Sequence, residues 1–92
     1  MSYWVLAYYF FTPIDSPEEE VRKHKEFFKD KDVTCRIYLS KEGINGQMSA
    51  TIEDAQKYMQ WLKADPRFES VEFKIHTYHE QVFPRVTVRS EE

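Results

Sequence analysis

Between Trp4 and Phe11 the chain reads WVLAYYFF, with no charged residue and no backbone breaker. Successive side chains of a strand point to opposite faces, so a run that is apolar at every position suits an interior strand covered on both sides. It is too short to cross a membrane as a helix, and it lacks the basic lead and cleavage site of a signal peptide. Thr12-Pro13 ends it. One face carries Trp4, Leu6, Tyr8 and Phe10; the other carries Val5, Ala7, Tyr9 and Phe11.

The rest of the chain arranges itself around that strand. Ser16-Pro17-Glu18-Glu19 reads as a helix start, with serine as N-cap and proline at the first position. The spacing predicts a helix from Pro17 to about Lys29, with Val21, His24, Phe27 and Phe28 toward the core. Val33, Cys35, Ile37 and Leu39 alternate with polar positions, as do Ile44, Gly46, Met48 and Ala50. The Lys41-Glu42-Gly43 link makes these two runs a hairpin, Gly43 supplying a positive φ, with Asn45-Gly46 as a rival turn. Thr51-Ile52-Glu53-Asp54 caps a second helix to about Ala64, with the stripe Ala55, Tyr58, Met59 and Leu62; Asp65-Pro66 stops it. Val71, Phe73 and Ile75 predict a fourth strand, and Phe83 to Arg89 a last extended piece. Right-handed crossovers fold this order into a ferredoxin-like βαββαβ two-layer sandwich. It is an α+β domain with an antiparallel sheet, both helices on one face, and a terminal strand. Residues 1–92 make one domain. The stop at Ser90-Glu91-Glu92, straight after a strand, suggests a boundary within a longer chain.

Composition narrows the function. With 92 residues there is room for one core and no large internal pocket. A formal net charge of −3 argues against tight, unaided nucleic-acid binding, which draws on a basic surface. Lys23, Lys25, Lys29 and Lys31 are interleaved with acids and read as a solvated helix face. A single cysteine, Cys35, excludes an internal disulfide framework and a thiolate zinc site. Flanked by Val33 and Ile37 on the buried side of a strand, it reads as core, not nucleophile. His76 and His79 sit three apart on an extended chain and point apart, with His24 on a helix, so no metal site is expected. No catalytic residue emerges, nor any phosphate-cradling glycine loop. An acylphosphatase-type enzyme would need an arginine in a glycine-containing loop after the first strand; here the loop is Thr12-Pro13-Ile14-Asp15.

A two-layer fold leaves one sheet face without a partner, and an apolar face usually marks an interface. Trp4, Tyr8, Phe10, Tyr9 and Phe11 are therefore candidates for a domain interface, the set on the uncovered face being the one that docks. RNA-recognition domains stack bases on this face, but their glycine-aromatic motif is absent, which favours a protein partner there. A plain dimerisation module remains an alternative.

The segments SKEGINGQMSAT (Ser40 to Thr51), DPRFESVEFKI (Asp65 to Ile75) and YYFFTPIDSPEEE (Tyr8 to Glu20) resemble the amino-terminal domain of the rhodanese-related tRNA uridine hydroxylases. The likeness runs in order along nearly the whole chain, and SKEGING is its most specific part. It implies a longer cytoplasmic parent, an oxidoreductase with a rhodanese domain after this one, making 5-hydroxyuridine at the tRNA wobble position. It implies dependence on molecular oxygen, with no cofactor in these 92 residues and no membrane association. The reactive cysteine of that family lies in the rhodanese domain, so Cys35 is not it. This domain would then dock on the rhodanese domain and help bind tRNA. Arg36, Lys41, Arg85 and Arg89 are the candidates for phosphate contact, and Asn45 for hydrogen bonds to RNA.

Overall fold

A computed structural model describes residues 2–91. The elements are β1 (Tyr3–Phe11), α1 (Pro17–Phe28), β2 (Val33–Ser40), β3 (Gly43–Thr51), α2 (Ile52–Lys63), β4 (Lys74–Tyr78) and β5 (Val86–Ser90), with a 3-10 turn at Pro66–Phe68. They build one sheet in the order β4-β1-β3-β2-β5. The βαββαβ part is antiparallel as expected. The terminal strand adds to the edge of β2 in parallel, which makes the sheet mixed.

Both helices cover one face, α1 over β2 and β5, and α2 over β1 and β3. Cross-strand register explains what lies beneath them. Leu6, Met48 and Cys35 form one row, and Tyr8, Gly46, Ile37 and Val88 the next. All are buried. Gly46 is therefore mid-strand and not a turn. A Cβ there would sit 2.5 Å from Tyr8 Cζ, so the missing side chain is the space the tyrosine ring occupies. Gly43 has the positive φ expected of it, 159°, and crowding adds to the demand for glycine, because a Cβ would run into the Phe10 carbonyl oxygen.

The second helix start behaves as its sequence suggests: Thr51 Oγ1 accepts from Asp54 N at 3.3 Å. The first does not. Ser16 makes no side-chain cap; its carbonyl oxygen accepts from the Glu19 and Glu20 amides instead. Pro17 pre-sets the first turn, and Glu18, Glu19 and Glu20 lie favourably at the positive end of the helix dipole.

The fourth strand also departs from expectation. Val71 and Phe73 precede it, and β4 itself is exposed along its whole length, Ile75 included. Val71 is tied to the 3-10 turn through its amide and the Phe68 carbonyl, and the Phe73 ring packs edge-on against Tyr8 at 4.9 Å. The alternating trio thus joins two environments, a core-filling loop and an edge strand. β4 pairs only with Tyr3 to Ala7 of β1. From Tyr8 to Phe11, β1 has a partner strand on one side alone.

Candidate nucleic-acid interface

The face away from the helices is assembled by the same register. One row reads Tyr9, Asn45, Tyr38, Arg89 across β1, β3, β2 and β5. The neighbouring row reads Lys74, Ala7, Gln47, Arg36, Thr87 from edge to edge. Residues 79–85 fold back over the far end of this face. There Gln81 Nε2 donates to Asp32 Oδ1 at 2.9 Å, Thr34 Oγ1 donates to Gln81 Oε1 at 3.0 Å, and the Val82 amide donates to Ser49 Oγ at 3.3 Å. That cover explains why Ser49 is fully buried although it points away from the helices. Asn45, Gln47, Arg36 and Arg89 stay exposed beyond it.

Arg36, Arg85 and Arg89 line one hollow with Tyr38 and Thr87. Arg85 reaches it because its carbonyl accepts from the Cys35 amide at 3.0 Å, which fixes the entry to β5. The Arg36 guanidinium lies over the Phe83 ring at 5.5 Å. Lys41 is elsewhere, in the exposed turn between β2 and β3. Four of the five expected RNA-contact residues therefore share a face, and Lys41 stands apart.

The ion pairs formed between described residues are Arg22–Glu19, Lys23–Glu20, Lys31–Asp30, Lys57–Glu53, Arg67–Glu20 and Arg67–Asp65, all in or beside the helical layer. None engages Arg36, Lys74, Arg85 or Arg89. The net charge of −3 thus hides a local cluster of cations, Arg36, Arg85 and Arg89, that form no ion pair with another described residue.

The five ring candidates separate by face. Trp4, Tyr8 and Phe10 turn toward the helices, Tyr8 buried and the other two packed against the core. Tyr9 and Phe11 point outward, 62% and 68% exposed, with ring centroids 4.8 Å apart. They stand on the half of β1 that lacks an outer neighbour.

A buried polar chain was not legible in the sequence. His24 Nδ1 lies 2.8 Å from the Glu20 carbonyl oxygen, and Nε2 lies 2.9 Å from the Tyr58 hydroxyl, which bonds in turn to the Tyr8 hydroxyl. A carbonyl only accepts, so Nδ1 carries the proton and Nε2 accepts from Tyr58. The i, i+4 spacing of Glu20 and His24 was the available signal. Burial pushes the His24 pKa down to about 4 and raises those of both tyrosines, which favours the neutral forms. These groups pack against Phe28, Trp61 and Phe73 and tie both helices to the sheet.

Cys35 is wholly buried; burial pushes its thiol up to about 11, with Sγ 3.7 Å from the Thr87 carbonyl oxygen. It is a thiol at neutral pH and a poor nucleophile. The loop after β1 is also unsuited to phosphate. The Thr12 and Ile14 amides donate to the Glu42 and Lys41 carbonyls at 3.0 Å each, and Ile14 is buried.

Residues 3–92 match the model of the UPF0176 acylphosphatase-like domain. A tRNA uridine(34) hydroxylase from Protochlamydia amoebophila is 62% identical over 96% of this chain, and that of Chlamydia trachomatis serovar D is 56% identical over the same share. The chain spans only 28% and 27% of the lengths of these relatives. Among solved structures, the BLUF protein BlrB in its dark state superposes with a TM-score of 0.68 over 97% of this chain and 70% of its own, at 10% identity. Full-length HypF gives 0.52 over 99% of this chain and 12% of its own, at 9% identity. These two likenesses speak to the fold alone.

Proposed function

The chain belongs to the family of UPF0176 amino-terminal acylphosphatase-like domains, and from that premise we propose that it is the non-catalytic RNA-contacting domain of a tRNA wobble-uridine hydroxylase. The observation that carries this reading is the cluster of cations, Arg36, Arg85 and Arg89, that line one hollow and form no ion pair with another described residue. Guanidinium groups attract phosphate oxygens and position a nucleic acid without reading its sequence. The oxygen-dependent chemistry belongs to the rest of the parent protein, as does its reactive cysteine.

A second role rests on a different feature. Tyr9 and Phe11 form an outward aromatic pair beside the half of β1 with no outer strand. A following rhodanese domain docks there, covering rings that would otherwise face water. Relatives more than three times as long as this chain leave ample length for such a domain. RNA and protein then meet along the row Tyr9, Asn45, Tyr38, Arg89, the protein at the Tyr9 end and the RNA at the Arg89 end.

The test is tRNA binding by the full-length parent at two salt concentrations. The double variant Arg36→Gln, Arg89→Gln should weaken binding about tenfold or more and reduce the salt slope by roughly 1 to 2. Lys25→Gln with Lys57→Gln, on the helical side, should change neither. Equal effects from both pairs, or no effect from the arginine pair, would overturn the proposal.

A further inference from the structure

Tyr38 occupies a place that the charge of the sheet does not explain. It is half-buried and forms the wall between two hollows. On one side lie Arg36, Arg85, Thr87 and Arg89; on the other lie Tyr9, Phe11 and Asn45, with Glu42 and Glu91 at the far end. Its cross-strand neighbours are Asn45 on β3 and Arg89 on β5. An aromatic ring flanked by an amide and a guanidinium meets three needs of one nucleotide. The ring stacks a base, the amide hydrogen-bonds the base edge, and the cation holds the phosphate.

Building on the RNA-contacting role above, we propose that Tyr38 is a stacking platform for an unpaired base of RNA, with Asn45 at the base edge and Arg36, Arg85 and Arg89 on the adjoining phosphates. The acids fix the direction of the strand across the site. Glu42 and Glu91 repel phosphate from the hairpin end, so the backbone runs over the arginine side. A base inside a continuous duplex cannot offer its face to a side chain, so the site selects single-stranded or loop RNA. Tyr9 does not share this role. Its ring is engaged by Phe11, edge-on at 4.8 Å, and the hollow that carries the three arginines is lined by Tyr38 and not by Tyr9.

The experiment uses the full-length parent and two probes of equal length, a hairpin with an unpaired uridine-containing loop and a fully paired RNA duplex. Tyr38→Leu should weaken hairpin binding about tenfold or more and leave duplex binding within twofold. Tyr38→Phe, which keeps the ring, should bind both as the parent does. With 5-iodouridine in the loop, the unsubstituted protein should crosslink at Tyr38, a readout independent of how any variant folds. Loss of duplex and hairpin binding together in Tyr38→Leu, unchanged hairpin binding, or crosslinks confined to other residues would overturn the stacking site. If the Arg36, Arg89 double variant weakens both probes while Tyr38→Leu weakens neither, only the stacking proposal fails. If the arginine variant also leaves both unchanged, the RNA-contacting role fails with it.

Discussion

Acid should destabilise this domain through one buried histidine. His24 sits between Glu20, Tyr58, Phe28 and Trp61, with Nδ1–H committed to a carbonyl and Nε2 accepting from Tyr58. Protonation would place a second N–H against a hydroxyl that is already donating, in surroundings that solvate charge poorly. Burial accordingly lowers the His24 pKa from 6.5 to about 4. The unfolded chain takes up this proton first, so the stability tied to neutral His24 is complete above pH 6.5 and is lost as pH falls toward 4. At about 1.4 kcal/mol per pH unit, the full loss is about 3 kcal/mol, of which about 2 kcal/mol is gone by pH 5. Urea denaturation of the 92-residue chain at pH 7.5 and pH 5 measures it, against His24→Gln, whose amide accepts from Tyr58 without titrating. Arginine or lysine partners hold the Glu19, Asp30 and Asp65 carboxyls low, and these also favour higher pH. They are common to both proteins, so the difference between the two pH slopes isolates His24. Equal slopes in parent and variant, or a parent midpoint that does not move, would refute this account of the buried chain.

Gly46→Val should cost about 2 kcal/mol or more, because the new side chain meets a Tyr8 ring held by Tyr58 and Phe73. In a Tyr8→Ala background the same change should cost far less, and a double-mutant cycle of denaturation midpoints showing simple additivity would reject the packing explanation. Gly43→Ala should lose about 1 kcal/mol or more through backbone crowding against Phe10; an unchanged midpoint would place the turn more loosely than described. Cys35 should resist a thiol reagent in native buffer and react fully in denaturant, and rapid native labelling would contradict its burial.

Much of the architecture was legible because local chemistry and global packing agree. The apolar run marked a strand, but not one covered on both sides: Tyr9 and Phe11 stay exposed and its second half has β3 alone beside it. Proline and glycine marked the breaks, and periodicity of two or near four assigned the rest. Ser16 misled because a serine before proline can cap without being obliged to; its hydroxyl lost to its own carbonyl. Val71 and Phe73 misled because alternation cannot tell a strand from a loop that sends alternate rings inward. Arg36, Asn45 and Arg89 were legible as candidates, but the sequence could not bring them together.

What the sequence determined by itself was most of the elements and the strand faces, since each is written in the spacing of residues near one another in the chain, and the family, through the likeness of whole segments such as SKEGING. The tertiary structure decided which face of the sheet the helices cover, and with it which rings of β1 become core. It also decided that residues far apart along the chain share a row, through a register set by the β2–β3 hairpin and the parallel addition of β5. Net charge is a sum over the chain and carries no direction. Only folding gathers Arg36, Arg85 and Arg89 into one hollow, because strand pleating sends alternate residues to opposite sides of the sheet.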